Sequence, residues 1–353
     1  MEQTMKKIGL LTFHEGINHG GYFQAYSTYK TLEGLGYNVD VINYKNKKHH
    51  INEMRYFLLK KNPIEIIKNV RKIFSFKKDV NKFSLHPKKL CHDASLINFD
   101  NYSHIVVGAD IVWNYQLSLV GHDSLYFGEK IPAQIKLVAH APSAGAVNIE
   151  EEIPEFVVNG IKRFNHITVR DHNTQNLVEK IKGDKPEIAL DPTFLYDFNG
   201  EEIEPKYNDY VLIYAYALRD NEIEQIKQFA RRFNKKIIAI AYSQPWADLN
   251  LVDVSPFEWL GFFKNADYVV TSTFHGSIFC IKYEKEFAIS MNDAIKNKVQ
   301  TLLELFSLHD REITENQSVS SILSRKANYI VANEVINKKA KFSREYLKNA
   351  ICS

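Results

Sequence analysis

Short apolar runs alternate with longer amphipathic stretches along most of this chain. Ile8 to Phe13 forms the first such run, followed by a glycine-containing turn and a helical pattern from about Gly21 to Leu35 that Gly36 closes. Val39-Asp40-Val41-Ile42 reads as a second strand. Four more β-rich runs follow at His104–Gly108, Lys136–His140, Ile167–Arg170 and Glu187–Pro192. Asp197 to Asp209 is polar, acidic and proline-containing, which suits a linker. The alternation then restarts with a strand at Tyr210–Tyr216, a helix over Asn221–Phe233 and a strand at Lys236–Ile240. Strands interspersed with helices predict parallel sheets. The expected fold is α/β, with two Rossmann-like domains facing a cleft. Residues 1–198 would form the first domain and 199–326 the second. A terminal helix, within 327–353, could pack back on the first.

The charge distribution adds a feature to this plan. The formal net charge is only +3, yet residues 45–89 hold 14 Lys and Arg against Glu53, Glu65 and Asp79. Within that block Ile51, Met54 and Leu58, then Ile64, Ile67, Val70 and Phe74, recur at helical spacing. A basic helical insertion at about 45–90 is predicted. Two readings stand: a patch that meets an anionic membrane surface or an acidic lipid-linked substrate, or an insertion with a solvated face. Nucleic acid is disfavoured, because the aromatics fall at core-like positions and no binding motif accompanies the charge.

Length and composition change the picture less. The 353 residues exceed one ordinary domain, and 45% hydrophobic content supports sizeable cores. Cys91, Cys280 and Cys352 are widely spaced and form no C-x-x-C pair, which suits a reducing compartment. The first apolar run is short and is interrupted by His14 and Glu15, so it is read as a strand and not as a leader. No apolar stretch approaches bilayer length. A cytoplasmic protein is expected, with peripheral contact at the inner face of the cell membrane as the variant that the basic block allows.

Candidate chemistry concentrates where strands give way to helices. Tyr268–Val270 breaks into Thr271, Ser272, Thr273, Phe274, His275, Gly276 and Ser277 before an apolar pattern resumes. Such a strand–turn–helix entrance is a ready anion site, and the imidazole among hydroxyls suits a ligand both phosphorylated and reactive. An N-cap cluster around a buried His fits the same residues. Ligands of open parallel sheets sit beyond the carboxyl ends of strands. That rule ranks Arg170, Arg219, the Asn18–Tyr22 segment and the Gly108–Asp110 segment beside this turn. Arg170 would pair with a ligand carboxylate or, alternatively, with Asp171 or another surface acid. No G-x-x-x-x-G-K-[ST], G-x-G-x-x-G, H-E-x-x-H, G-x-S-x-G or Asp-x-Asp motif occurs. The 13 His show no metal-ligand spacing, so no metal is expected.

Six blocks in order resemble the polysaccharide pyruvyl transferase family. Asn18-His19-Gly20-Gly21-Tyr22-Phe23-Gln24-Ala25-Tyr26 is similar to its N-terminal segment, with His19 and Phe23 as departures. Val107-Gly108-Ala109-Asp110-Ile111-Val112-Trp113-Asn114 resembles its Gly-Ser-Asp-x-x-Trp-Asn block, with Ala109 for Ser. Ala139–Gly145, Val169-Arg170-Asp171, Leu190-Asp191-Pro192-Thr193 and Thr271–Ser277 match the remaining four, with His140, Asp171 and Thr273 as departures.

The resemblance implies a GT-B-like fold and phosphoenolpyruvate as co-substrate, with no resident cofactor. The product would be a pyruvate ketal on a sugar of a surface polysaccharide or lipid-linked oligosaccharide. His275 would contact phosphate and donate a proton, Arg170 would neutralise donor charge, and Asp110 would be the acceptor base. Thr271, Ser272, Thr273, Gly276, Ser277 and Arg219 would bind the donor. Asn18, Gly20, Gly21, Trp113 and Asn114 would bind the acceptor. Two alternatives remain: a sugar-nucleotide glycosyltransferase of the same architecture, and a non-catalytic binding protein on this scaffold.

Overall fold

The computed structural model describes residues 7–120 and 123–352. Two compact units divide the chain. The first comprises Met1–Leu59, Lys77–Tyr196 and Ile336–Ser353, and the second Lys60–Phe76 and Asp197–Val335.

In the first unit the strands are β1 (Lys7–Leu11), β2 (Val39–Tyr44), β3 (Leu85–Cys91), β4 (Tyr102–Val107), β5 (Lys136–Ala139), β6 (His166–Val169) and β7 (Glu187–Ile188). They form one sheet in the order β3-β2-β1-β4-β5-β6-β7, and every pairing is parallel. Strands covered on both faces read as continuous apolar runs, which is why Ile8–Leu11 and Ile105–Val107 are buried without alternation. Helix α1 (His19–Gly34) connects β1 to β2, and α2 (Lys47–Leu58) and α3 (Pro63–Val80) run through the basic block. Helices α4 (Glu155–Arg163) and α5 (His172–Lys182) flank β6 in sequence. Ile105, Val107, Trp113, Phe127, Leu137 and Ile161 share one core cluster.

The second unit carries β8 (Tyr210–Tyr214), β9 (Lys236–Ile240), β10 (Leu249–Leu251), β11 (Tyr268–Thr271) and β12 (Glu286–Ile289). Their order is β10-β9-β8-β11-β12, again wholly parallel. Helices α6 (Asp220–Arg232), α7 (Pro256–Asn265), α8 (Phe274–Lys282), α9 (Lys296–Phe306) and α10 (Val319–Leu323) surround the sheet in sequence. Val211, Ile213, Ile226, Phe229 and Val270 form part of its core. The last helix, α11 (Ile330–Cys352), ends in the first unit. There Lys339 donates to the Ile188 carbonyl at 2.7 Å, Arg344 to that of Leu195 at 2.6 Å, and the Tyr346 hydroxyl to that of Ala139 at 3.0 Å.

Two features depart from the sequence expectation. The basic block is not all helical: β3, the strand Leu-His-Pro-Lys-Lys-Leu-Cys, closes it as an edge strand, where proline and lysine are tolerated. Residues 60–76 of the block also group with the second unit. Lys68 donates to the Asn250 carbonyl at 3.3 Å and Lys72 to the Ala241 carbonyl at 3.2 Å. Among the described residues no helix is long and apolar enough to cross a membrane.

Candidate active site

The sheet order of the first unit sets β1, β4, β5, β6 and β7 side by side, so the segments that follow them share one end of the sheet. After β1, Asn18 caps α1 and its side-chain oxygen accepts the Gly21 amide at 3.0 Å. Gly20 and Gly21 are buried in the first turn. After β4, the Asp110 backbone takes a left-handed φ of 61°. A Cβ added at Gly21 would lie 3.4 Å from Asp110 Oδ2, so the carboxylate rests against the entrance of α1. Negative charge is favoured there by the helix dipole and the first amides. Gln24 supports the arrangement from α1. Its Oε1 accepts the Ala109 amide at 3.0 Å, and its Nε2 donates to Thr12 Oγ1 at 2.9 Å.

Arg170 follows β6 and is buried. Its Nη1 donates to Asp191 Oδ2 at 2.6 Å and its Nη2 to Asp110 Oδ1 at 3.4 Å. Burial opposes the guanidinium charge, but Asp191 and Asp110 more than offset that and raise its pKa above the ordinary value. Asp171 adds a smaller upward pull, and its side chain is engaged elsewhere. It caps α5 by accepting the Thr174 amide at 2.9 Å, and it receives the Ser143 hydroxyl at 2.5 Å. Asp191 caps the turn Pro192–Phe194 while holding Arg170. Arg170 is thus held between the carboxylates of Asp191 and Asp110.

Two of the acceptor candidates, Trp113 and Asn114, have structural partners. Trp113 is fully buried, stacks on Phe127 and donates its indole N–H to the Tyr126 carbonyl at 3.0 Å. It is core and not a sugar platform. Asn114 closes a turn, its Oδ1 accepting the amides of Gln116 at 3.2 Å and Leu117 at 2.8 Å. Both residues share a sequence block with Asp110, but Trp113 is sealed in the core while Asn114 is half-buried in its turn.

His140, which follows β5, is fully buried against the Tyr346 ring, with centroids 6.2 Å apart. Neither ring nitrogen has a hydrogen-bond partner among the described residues. Burial pushes this imidazole down to about 4, against a smaller upward pull from Asp191.

In the second unit the turn after β11 is a hydroxyl scaffold. Thr271 Oγ1 donates to the Tyr214 carbonyl at 2.7 Å and lies 3.0 Å from Thr273 Oγ1. Thr273 caps α8 by accepting the Gly276 amide at 3.0 Å. The Ser277 hydroxyl donates to the Thr273 carbonyl at 3.2 Å, and Ser272 Oγ accepts the Tyr216 amide at 3.0 Å. All four are buried. These hydroxyls are engaged in building the turn. Gly276 is required there because a Cβ would collide with Thr271 and sit 2.6 Å from Thr273 Oγ1. What the scaffold carries is His275, second residue of α8, which keeps 9% of its surface exposed.

Arg219 is tied to the start of α6. It caps α6 with its backbone amide donating to Glu222 Oε2 at 2.8 Å and its Nη2 to Oε1 at 2.6 Å. The hydrogen bond to Glu222 raises its pKa. The buried Glu222 also accepts the Ser290 hydroxyl at 2.9 Å. A capping box accounts for Arg219. Tyr216 was read only as strand; it lies beyond the carboxyl end of β8, is 54% exposed and packs on Tyr242 with centroids 4.0 Å apart. The run of alternating tyrosines hid it. Among the described residues no cluster of three His, Cys, Asp or Glu could hold a metal ion.

Comparisons with known proteins bear on both units. The chain is similar to Arabidopsis thaliana UGT89C1 in complex with UDP-L-rhamnose, with a TM-score of 0.54 at 11% identity, covering 99% of this chain and 100% of that one. A Neisseria meningitidis UDP-GlcNAc 2-epimerase bound to UDP-GlcNAc aligns over 99% and 100% of the two chains, at 10% identity and a TM-score of 0.48. The first likeness bears on fold alone, and with the two parallel sheets it makes the fold GT-B-like. No curated protein matches the chain. A family model described as Polysaccharide pyruvyl transferase matches residues 18–293, from the α1 cap to beyond the β11–α8 turn.

Proposed function

Because the chain belongs to the polysaccharide pyruvyl transferase family, we propose that it moves the enolpyruvyl group of phosphoenolpyruvate onto two hydroxyls of a sugar. The product is a pyruvate ketal in a surface polysaccharide or its lipid-linked precursor. The observation that carries this reading is the extent of the family match, which takes in Asp110, Arg170 and His275 alike. The reaction is assigned to the cytoplasm, where phosphoenolpyruvate is made.

The chemistry makes separate demands. A proton must reach the methylene carbon so that C2 becomes electrophilic. One acceptor oxygen then bonds to C2, the bond from C2 to the phosphate oxygen breaks, and the second acceptor oxygen closes the ketal. Of the two hydroxyl protons released, one balances that taken by the methylene and one leaves with phosphate. His275 is assigned the proton donation, since an imidazole serves as acid or base near neutral pH. Its place in the first turn of α8 suits contact with the donor phosphate. Asp110 is assigned the acceptor hydroxyl, and Arg170 with Asp191 fixes the Asp110 carboxylate.

The test is phosphate release from phosphoenolpyruvate across a panel of sugar acceptors, with thermal shift against phosphoenolpyruvate and UDP-sugars separately. Saturating ligand at 100 times its Kd stabilises a protein by about 2.7 kcal/mol. Stabilisation by phosphoenolpyruvate together with acceptor-dependent release is the expected result. Stabilisation by a UDP-sugar alone would overturn the reading in favour of glycosyl transfer.

A further inference from the structure

Helix α3 reverses the usual order of a surface helix. Its inward face carries a lysine: Lys72 is buried, donates to the Ala241 carbonyl and lies 5.6 Å over the Tyr242 ring. Lys68, one turn earlier, donates to the Asn250 carbonyl, so the rotation of the helix is fixed at two points. Ile73 and Phe76 are buried on the same side. Outside remain Ile64 at 63% exposure, Ile67 at 54% and Phe74 at 68%.

Positions 64, 67, 71, 74 and 78 step by three and four residues, so they trace one stripe along the helix. Arg71 lies on it, 71% exposed and 4.0 Å from Asp253, and Lys78 ends it. Across residues 60–78 there are seven Lys and Arg, with Glu65 the single acid. Large apolar side chains in water among like positive charges are an arrangement that gains nothing in an isolated protein. A second copy of the chain would set this positive stripe against itself. A surface that is apolar beneath and anionic above satisfies both halves of the pattern.

We propose that α3 lies on an anionic lipid surface. Ile64, Ile67 and Phe74 enter the boundary between headgroups and acyl chains, and Lys61, Arg71, Lys77 and Lys78 meet headgroup phosphates. The inference rests on α3 and not on the reaction assigned above.

Flotation of the full chain with phosphatidylcholine vesicles, with and without phosphatidylglycerol, tests it. Binding is expected only with phosphatidylglycerol and weakens as salt is raised. The variant Ile64→Asn/Ile67→Asn/Phe74→Asn should lose about tenfold in partitioning per side chain. Lys61→Gln/Lys78→Gln should lose about fivefold per charge. All five side chains lie on the surface, so circular dichroism and melting of both variants should match the parent. Vesicle binding that survives the triple substitution, or no binding to phosphatidylglycerol vesicles, overturns the proposal. So does a dimer in sedimentation velocity that the triple variant dissolves in the absence of vesicle binding.

Discussion

The turns that open α1 and α8 use one capping device to different ends. Asn18 and Thr273 each accept the amide three residues on at 3.0 Å, and in both cases that residue is glycine. Around Gly21 the space is filled from a distance, by Asp110 from the segment after β4, itself held by Arg170 from the segment after β6. Around Gly276 it is filled locally, by the hydroxyls of Thr271 and Thr273. Charge in the first unit therefore depends on the strand order of the sheet. The second unit concentrates its chemistry in one imidazole on a turn whose hydroxyls bond to one another and to the neighbouring strand end at Tyr214 and Tyr216. Breaking the first assembly should cost fold, and emptying the second should cost activity.

The largest effect sharpens that contrast. His275→Ala should lower acceptor-dependent phosphate release by about 10²- to 10⁴-fold while leaving the melting temperature near that of the parent. A variant that instead unfolds would erase the distinction. Next comes Arg170→Met, which takes the guanidinium away from the buried Asp191. Removing one partner of a buried pair costs about 3–5 kcal/mol, readable as a lowered urea midpoint. Asp110→Asn should cost much less stability, because the Asp110 side chain keeps 17% exposure, yet it should impair turnover more than donor binding.

Much of the fold could be read from the chain, because buried parallel strands are continuous apolar runs in any register. Lys236–Ile240 was placed to the residue, and the strands at β2, β5 and β11 to within two. The edge strands β3, β10 and β12 escaped, being short, half-exposed or interrupted by lysine and proline. The Thr271–Ser277 turn was legible as a capped helix entrance because the cap, Thr273 accepting the Gly276 amide, is local in sequence. Arg170 was not: its partners are 60 and 21 residues away, and only the adjacency of β4 through β7 brings Asp110 and Asp191 to it. Trp113 misled for a related reason. Its neighbour in sequence, Asp110, reaches the entrance of α1, while Trp113 turns under the sheet into Phe127 and Phe164.

The buried imidazole of His140 extends the contrast to pH. Its value of about 4 lies below the 6.5 of an exposed ring, so the unfolded chain takes up the proton first. Stability from burying the neutral ring is therefore whole above 6.5 and is lost as pH falls towards 4, by about 3 kcal/mol if complete. His49, also pushed down to about 4 by burial and by Lys45, acts in the same direction. Urea midpoints should fall between pH 7 and pH 5, and His140→Phe, which preserves packing on Tyr346, should flatten that slope in part. An unchanged slope would show that the ring titrates as an exposed one.

The smallest effects separate the two glycines directly. Gly276→Ala places a methyl against Thr271 and Thr273, and overpacking of this kind costs about 1–3 kcal/mol. At Gly21 the same methyl meets Asp110 Oδ2 at 3.4 Å, an ordinary van der Waals approach. Alanine is also the better helix former by up to about 1 kcal/mol, so Gly21→Ala should leave the urea midpoint unchanged or slightly raised. Equal losses at both positions would mean that the first entrance is sealed as tightly as the second. Asp110 would then have no freedom to receive an acceptor hydroxyl, and its assignment as base would fall with the contrast.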